Sequence, residues 1–379
     1  MTHDPIQFIH QQRELIFQTY EELHQLAEPS WHEENTSKYI IEMLNKAGLE
    51  VQTFTGHFGF FAEIKGEKPE VIALRADLDA LVQEVDGIVR PNHSCGHDAH
   101  STMVLFTALA LAKSGDKFTH TLRFIFQPAE EKGEGALKMM EEGALSQVKF
   151  LGGLHLRPSI EVPYNTATPV ILHGSTVSIK GVIRGVPAHA ARPAEGNNSL
   201  EAAAILIQSI RQIRLKYEGQ YSIKITELHG GEASNLIPGT AYFTFDLRAR
   251  TNEIMEDLIK KAKHVIRTIS ELTDTHIDFE LVEYSPAAKK NIRAIEFAKE
   301  AIVAVLGEEG YQDVCNSPGA EDFHFYTLNN PEIAATMIGL GCDLQPGLHH
   351  PEMKFNHEAM IYGTKILTNM LLEADQKQW

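Results

Sequence analysis

Cysteine is scarce in this sequence: its 379 residues include only three, Cys95, Cys315 and Cys342. Their odd number and wide spacing exclude the disulfide framework of a small secreted domain and favour a reducing compartment, so we expect a cytoplasmic protein. Cys315 and Cys342 also lack the spacing of metal ligands, and we interpret them as small buried residues.

Long apolar runs are missing as well. No stretch approaches the ~20 residues that a membrane span requires. Residues 1–27 are polar and charged, with apolar residues at helical spacing. We therefore expect neither a membrane protein nor a signal peptide.

Positive charge is in deficit, because 34 Lys and Arg residues stand against 51 Asp and Glu residues, for a formal net charge of -17. The excess acid is spread along the chain and argues against nucleic acid or a membrane surface as a partner. Two motifs are absent: the Gly-x-Ser-x-Gly turn of serine hydrolases and the Gly-x4-Gly-Lys-Ser/Thr phosphate loop. What is present is a globular composition, 43% hydrophobic and 22% charged, in a chain long enough for two domains.

The most informative stretch, residues 93–103, concentrates histidine, cysteine and aspartate. A thiolate and an imidazole two positions apart, Cys95 and His97, can point the same way from an extended segment and bind one metal ion. Gly96 between them permits a close approach of the backbone. A histidine-rich loop alone is more often a solvated turn, so a metal site requires further ligands from elsewhere in the chain.

Strands alternate with helices over much of the chain, which predicts an α/β fold with a mixed, mostly parallel sheet flanked by helices. A first helix is predicted over residues 5–26 and another over 100–113. Ligand-binding groups gather beyond the carboxyl ends of parallel strands. Three predicted strands are followed by residues of this kind: 71–76 by Asp77 and Asp79, 121–126 by Glu130 and Glu131, and 149–154 by His155.

The middle of the chain predicts a different architecture. Between residues 175 and 284 the order is strand, helix, two strands, helix and strand, which is typical of a ferredoxin-like α+β domain. We therefore predict an inserted lid domain over residues 173–285. It would separate the two parts of a catalytic domain, residues 1–172 and 286–379.

Five side chains with sulfur, nitrogen and oxygen donors are candidates for one metal centre. This mixture suits one or two manganese, zinc, cobalt or nickel ions rather than calcium or magnesium. Of two adjacent carboxylates, we assign Glu131 to the metal and Glu130 to proton transfer between a metal-activated water and a departing amine, as amide hydrolysis requires. Adjacent side chains of an extended segment point apart, so a turn at Pro128 must bring both into the site. The five candidate ligands are Cys95, His97, Glu131, His155 and His349.

Short motifs along nearly the whole chain carry a resemblance to a known family. They lie at residues 74–81, 93–100, 127–131, 153–155, 188–191, 230–231, 235–238, 321–323 and 348–351. In this order they resemble the two-metal amidohydrolases that include aminoacylases, hippurate hydrolases, N-acetyldiaminopimelate deacetylases and auxin-conjugate hydrolases. The resemblance implies a metal-dependent amidohydrolase acting on N-acyl, in particular N-acetyl, amino acids.

The resemblance also assigns roles to single residues of the catalytic domain. It places Glu130 on the general base and the five candidate ligands on the metal ligands. It implies that either Asp79 or Asp77 orients a ligating histidine, and we favour Asp79.

In the predicted lid, His189 falls on a histidine that stabilises the oxyanion, a task that requires a hydrogen-bond donor. Asn235 and Arg248 fall where the lid of the family meets the substrate carboxylate, which a guanidinium can bind through two hydrogen bonds. For Arg248 a surface ion pair on a strand is an equally good interpretation, and Asn235 is alternatively a turn residue. The resemblance leaves open a homo-oligomer formed through the lid.

Two departures from the family pattern leave the identity of the N-acyl amino acid open. Residues 193–194 read Pro-Ala where the family commonly has Pro-His, and Val82 stands in place of a usual proline. A dipeptidase or carboxypeptidase of the same architecture remains an alternative, although the Cys-Gly-His-Asp motif resembles the acylase branch. A third hypothesis is a non-catalytic metal-binding protein on this fold. Such a protein would lack a metal ligand or the general base, and this sequence contains all of them.

Overall fold

A computed structural model describes residues 4–379. The α-helices in this range are α1 (Pro5–Gln11), α2 (Arg13–Leu26), α3 (Glu34–Lys46), α4 (His97–Ser114), α5 (Gly135–Glu141), α6 (Ser199–Ile210), α7 (Asn252–Leu272), α8 (Ile292–Leu306), α9 (His324–Asn329) and α10 (Glu358–Asp375). The strands are β1 (Glu50–Thr53), β2 (Phe60–Ile64), β3 (Lys68–Asp77), β4 (Leu81–Val85), β5 (Ile88–Asn92), β6 (His120–Gln127), β7 (Val148–Pro158), β8 (Ala167–Thr168), β9 (Ile171–His173), β10 (Ser175–Arg184), β11 (Ala188–His189), β12 (Tyr221–Gly230), β13 (Leu236–Ile237), β14 (Thr240–Ala249), β15 (His276–Ser285), β16 (Cys315–Ser317) and β17 (Ala334–Leu344).

The chain divides into two compact units, which we describe separately. The larger unit comprises residues up to Leu172, Lys289–Ser317 and Glu321–Trp379, and the smaller unit comprises His173–Ala288 and Pro318–Ala320. Among the helices of residues 4–379, none combines the length and apolar character needed to cross a membrane.

A seven-stranded sheet forms the centre of the larger unit, in the order β1-β2-β6-β3-β7-β17-β8. Its four middle strands, β6, β3, β7 and β17, run parallel, while β1, β2 and β8 pair antiparallel with their neighbours. β6 is buried along its whole length, as expected for a strand covered on both faces of the sheet. The mixed, mostly parallel α/β fold predicted from the sequence is confirmed.

Helix α4 runs through the core of the larger unit and positions one end of the candidate site. Its first turns are polar, but from Met103 onward it is mostly apolar on all sides, and it is buried along nearly its whole length, as expected for a helix without a solvent face. Helix α10 packs close beside it: a Cβ added to Gly363 would lie 2.2 Å from Met103 Sδ. The first residue of α4, His97, is therefore held inside the unit.

The structure departs from the sequence prediction at several positions. The predicted helix over residues 5–26 is two helices, α1 and α2, separated at Gln12, whose φ of -91° and ψ of 10° leave the helical region. β7 continues to Pro158, so His155 lies within the strand rather than beyond its end, because β17 pairs with β7 over this whole length. The β4–β5 hairpin was not predicted, and it is largely exposed, so burial imposes little apolar alternation on its sequence.

The smaller unit holds a four-stranded antiparallel sheet in the order β12-β14-β10-β15. Numbered along the unit, this order is 2-3-1-4, and with α6 and α7 it is the ferredoxin-like arrangement predicted from the sequence. The helices cover one face of the sheet, where Leu206 of α6 and Leu258 of α7 share a core with Phe243, Phe245 and Ile179 of the strands.

Candidate active site

The segment between β5 and α4 carries two candidate ligands. Gly96 adopts a left-handed conformation with φ of +88°, and α4 starts immediately after it at His97, three residues earlier than predicted. A Cβ added to Gly96 would lie 3.0 Å from Leu156 Cδ1, so glycine allows this turn to pack against β7. Cys95 and His97 are both buried as a result.

Cys95 faces His155 across this turn, with 3.6 Å between Sγ and Nε2. The other ring nitrogen of His155, Nδ1, lies 2.7 Å from the carbonyl oxygen of Leu156 and donates a hydrogen bond to it. Because Nδ1 then carries the proton, Nε2 presents its lone pair toward the thiol. His155 is thus in the tautomer that a metal ligand requires.

His97 is oriented by Asp79. Its Nδ1 lies 2.9 Å from the Asp79 carbonyl oxygen and 3.2 Å from Oδ1, which places the proton on Nδ1 and leaves the lone pair on Nε2. That Nε2 lies 3.8 Å from a carboxylate oxygen of Glu130 and of Glu131. Asp79 is itself held, since its Oδ2 accepts hydrogen bonds from Ser30 Oγ at 2.6 Å and from the Glu131 N–H at 3.0 Å.

Asp77, the other aspartate considered, has different hydrogen-bond partners. Its Oδ1 lies 2.8 Å from His100 Nδ1, and its Oδ2 accepts a hydrogen bond from Arg75 at 2.6 Å. His100 Nε2 accepts the Leu156 N–H at 3.0 Å, so both nitrogens of that ring are engaged. Of the two aspartates, Asp79 therefore hydrogen-bonds a candidate ligand, whereas Asp77 supports His100.

The turn after β6 directs both adjacent glutamates toward His97. Ala129 has a φ of +51°, a left-handed conformation that L-residues rarely adopt, and it reverses the chain between Pro128 and Glu130. The side chains of Glu130 and Glu131 therefore do not point apart as neighbours in a strand do. This is the geometry that a turn at Pro128 had to supply.

His349 approaches the site from the loop after β17. Its N–H donates to the Ser94 carbonyl at 2.7 Å, which ties this loop to the segment that carries Cys95. Its Nε2 lies 3.7 Å from Glu131 Oε1, and 56% of its side chain is exposed, so it is the most solvent-accessible of the five candidates.

The donor atoms form overlapping groups that fit divalent metal ions. Those of Cys95, His97 and His155 lie within 4.8 Å of one another, and those of Cys95, Glu131 and His349 form a second such group. Within residues 4–379, the buried atoms His97 Nε2 and Glu131 Oε1 have no hydrogen-bond partner, an arrangement that is costly unless a cation binds them. Mixed thiol, imidazole and carboxylate donors favour transition metals over calcium or magnesium.

Burial governs protonation in this site. It raises the pKa of the Cys95 thiol well above its ordinary value and raises the pKa of Glu131 to about 7, which are shifts that a bound cation would oppose. Burial also raises the pKa of Glu130 well above its ordinary value, and the carboxylates of Glu321 and Glu131 raise it further. A carboxyl group with a raised pKa suits a role in which it both accepts and returns a proton.

The three residues predicted for the lid lie in the smaller unit. His189 is on β11, which pairs with β13, and the Ala190 N–H donates to the Asn235 carbonyl at 2.9 Å, so His189 and Asn235 are neighbours. Arg248 lies on β14, where its Nε donates to Asp246 Oδ1 at 3.0 Å. This is the surface ion pair that the sequence offered as the alternative interpretation of Arg248.

A buried ionic network beside the turn was not predicted. The Arg75 guanidinium lies 2.6 Å from Asp77, 2.8 Å from Asp322 and 3.1 Å from Glu321, and its Nε donates to Gln127 Oε1 at 2.8 Å. A signal was present, because all of these residues stand in the motifs that carry the family resemblance. Arg75 and Asp77 are close in sequence, but the contacts of Arg75 with Gln127, Glu321 and Asp322 join distant segments, and the sequence does not display them.

Comparisons with known proteins bear on the whole chain. The family model described as "Peptidase family M20/M25/M40" matches residues 73–373. The chain is 29% identical to the N-acetylcysteine deacetylase of Bacillus subtilis (strain 168), covering 92% of this chain and 94% of that protein. It is 30% identical to the N-acetyldiaminopimelate deacetylase of Streptococcus sanguinis (strain SK36), covering 92% and 96%. Among solved structures, it is similar to a Bacillus subtilis protein described as a dinuclear metal binding peptidase from M20 family, with a TM-score of 0.83 and 26% identity over 97% of this chain and 99% of that one.

Proposed function

Because this chain belongs to peptidase family M20/M25/M40, and is thus a metal-dependent amidohydrolase, we propose that it hydrolyses the amide bond of N-acyl amino acids, in particular N-acetyl amino acids. The observation that carries the proposal is the place of the Glu130 carboxylate, 3.8 Å from His97 Nε2 and next to the candidate metal ligands. The deacetylase names of two relatives support an N-acetyl group as the acyl part.

Five residues would hold one or two divalent ions, and their environment supports this role. His97 and His155 present Nε2 lone pairs because Asp79 and the Leu156 carbonyl engage their Nδ1 atoms. The remaining ligands in this proposal are Cys95, Glu131 and His349. When bound, such ions lower the pKa of water and polarise the amide carbonyl.

Glu130 would carry the proton in this reaction. Its carboxylate takes a proton from the attacking water as the new C–O bond forms, and it passes that proton to the amide nitrogen as the C–N bond breaks. The products are a carboxylic acid and a free amino acid, so atoms and charge balance without a further reactant. The raised pKa of Glu130 helps the second half of this cycle, in which Glu130 must act as an acid.

Substrate contacts from the smaller unit remain part of the proposal. The family resemblance supports His189 as a donor to the oxyanion, and Asn235 and Arg248 as partners of the substrate carboxylate. Arg248 is the weakest of the three, because its guanidinium is already paired with Asp246. Measuring KM and kcat for His189→Ala, Asn235→Ala and Arg248→Met with the preferred substrate tests these contacts one by one.

The proposal is tested by substrate screening of the metal-stripped protein. After chelation, manganese, zinc, cobalt or nickel is restored, and release of free amino acid is measured from N-acetyl, longer N-acyl and dipeptide substrates. We expect metal-dependent release from N-acyl amino acids, lost in Glu130→Gln with the bound metal retained. Glu141→Gln, an exposed carboxylate on α5, is the control and should match the wild type.

Two results would contradict the proposal. Preferential cleavage of dipeptides over every N-acyl amino acid would move the chain to the peptidase alternative. Full hydrolysis by Glu130→Gln would remove Glu130 from proton transfer.

A further inference from the structure

The loop between α2 and α3, residues 27–33, contacts the turn that carries Glu130 and Glu131. It contains Glu33, whose residue surface is fully buried although it carries an ionisable group. It also contains Trp31, whose φ of +70° is a left-handed conformation that is unusual for a bulky residue. A buried ionisable group and backbone strain on one short loop indicate a constraint that packing alone does not require.

Glu33 joins this loop to the turn by a single carboxylate oxygen. Its Oε1 accepts the Ala129 N–H at 2.9 Å and the Trp31 N–H at 2.9 Å. Ala129 and Trp31 are both left-handed residues, so one oxygen secures two strained backbone positions. Burial raises the pKa of Glu33 to about 7, and in its ionised form the carboxylate accepts these backbone hydrogen bonds more strongly than a neutral acceptor would.

The same loop reaches the residue that orients His97. Ser30 Oγ donates at 2.6 Å to Asp79 Oδ2, the oxygen that also accepts the Glu131 N–H. The Ala80 N–H donates to the Glu28 carbonyl at 2.8 Å, which attaches the start of the loop to the end of the segment that follows β3. The loop therefore contacts both Asp79 and the glutamate turn.

We propose that Glu33 is a positioning residue: by holding the Ala129 N–H, it keeps the left-handed turn in the shape that directs Glu130 and Glu131 toward His97. This inference rests on the proposed roles of Glu130 and Glu131. Within residues 4–379, Glu33 makes no hydrogen bond to either of these side chains, so it acts through the backbone of the turn.

A matched pair of variants tests the proposal. Glu33→Ala removes the acceptor for Ala129 and Trp31, whereas Glu28→Ala removes a carboxylate of the same loop that caps α3 through Asn35 and Thr36 and does not contact the turn. Manganese affinity is measured by calorimetry on the metal-stripped proteins, alongside thermal unfolding, kcat and KM.

We expect Glu33→Ala to weaken metal affinity by about 10- to 100-fold, the range found when a residue supporting a metal ligand is removed. Its kcat should fall more than its KM rises, because Glu130 is displaced along with Glu131. Glu28→Ala should lower the unfolding temperature and leave metal affinity unchanged. Glu33→Gln retains a neutral oxygen acceptor, so we expect it to recover part of the affinity.

Glu33→Ala and Glu28→Ala are compared at a similar loss of unfolding temperature. The proposal is overturned if Glu33→Ala then binds manganese as tightly as Glu28→Ala does. If Glu33→Ala does not fold, the same comparison is made between Glu33→Leu and Glu28→Leu, which remove the acceptor but keep much of the side-chain volume, and wild-type affinity in both would overturn it. The calorimetric measurement needs no substrate, so a failure to find an N-acyl substrate leaves this test intact. Glu131→Gln is the reference: unchanged affinity there would contradict the proposed metal ligands instead.

Discussion

At the scale of single residues, one buried cation, Arg75, faces three carboxylates beside the candidate site. This guanidinium is buried together with Asp77, Asp322 and Glu321, and Gln127 completes its hydrogen bonds. Burial alone would raise the pKa of Asp77, but the charges of neighbouring groups, Arg75 among them, hold that pKa well below its ordinary value. Arg75 thus favours the ionised form of Asp77, whereas burial raises the pKa of Asp322 to about 8 although the charge of Arg75 opposes that shift.

Replacing Arg75 by methionine should destabilise the protein strongly. The loss leaves three buried carboxylates without their cation, and removal of one partner from a buried ionic network costs about 3–5 kcal/mol. Urea unfolding of the metal-stripped protein measures the change in the free energy of unfolding. Arg90→Met, which removes an exposed ion pair with Asp86, is the control and should cost less than about 1 kcal/mol. Equal costs for the two variants would contradict this account of Arg75.

The pH dependence of catalysis should respond to Glu321. Its negative charge lies near Glu130 and is one cause of the raised pKa of that group. Glu130 must be ionised to accept a proton, so activity falls as pH drops through its pKa. Glu321→Gln removes the repulsion, lowers the pKa of Glu130, and should shift the acid limb of the kcat/KM profile to lower pH.

The control for this shift is Glu63→Gln, whose carboxylate is paired with Arg123. Its profile should follow that of the wild type. An acid limb that moves to higher pH in Glu321→Gln would show that Glu321 does not act on Glu130 by charge repulsion.

At the scale of secondary-structure elements, the link between β6 and α5 determines the geometry of the glutamates. β6 ends at Gln127, the chain reverses at Ala129, and α5 begins at Gly135. A Cβ added to Gly135 would lie 1.7 Å from the Pro128 carbonyl oxygen, so the first turn of α5 packs directly on the backbone of the glutamate turn. The position of this turn is therefore set from two sides, by α5 and by the loop that contains Glu33.

Gly135→Ala should displace the glutamate turn. The added methyl group meets backbone rather than a flexible side chain, so the Pro128 carbonyl must move. A displacement of about 1 Å at catalytic groups can lower the rate by about 100-fold, and we expect a loss of this order in kcat with the substrate identified by screening.

Gly143→Ala provides the comparison for this prediction. Gly143 has a φ of +84° and open space around its Cβ position, so alanine there adds backbone strain of about 1–2 kcal/mol without touching the site. We expect reduced stability and unchanged kcat. If kcat were similar in Gly135→Ala and Gly143→Ala, the packing of α5 on the Pro128 carbonyl would not affect catalysis, and this prediction would be wrong.

At the scale of the whole molecule, each of the two units has a hydrophobic core of its own. The larger unit packs α4 and α10 against its parallel sheet, and the smaller unit packs α6 and α7 against its antiparallel sheet. All candidate metal ligands belong to the larger unit. A ligand that binds only the folded state stabilises the part of the structure that holds it.

Chelation should therefore loosen the larger unit selectively. In hydrogen exchange, the N–H groups of Glu131, Leu156 and His349, which are hydrogen-bonded around the site, should exchange faster after metal removal. Amides of β10 and β14 should be unaffected. In Cys95→Ala, which lacks a proposed metal ligand, chelation should change the exchange rates little. Equal acceleration of exchange in both units would contradict a metal site confined to the larger unit.

Much of the architecture could be predicted because its signals are local. Buried strands appear as short apolar runs, and the strand and helix order of the smaller unit identifies a ferredoxin-like arrangement without any knowledge of contacts. The break at Gln12 and the extension of β7 beyond His155 could not be predicted in this way. The extension depends on pairing with β17, which lies about half the chain length away.

By itself, the sequence determined which residues could take part in the chemistry, because donor type, spacing and motif order are properties of the chain alone. It thereby indicated Cys95, His97 and the Glu130–Glu131 pair. Only the tertiary structure decided that Asp79 rather than Asp77 hydrogen-bonds His97, and that Glu33 supports the glutamate turn. These outcomes depend on the direction and length of hydrogen bonds between segments distant in sequence, and such contacts exist only once the chain has folded.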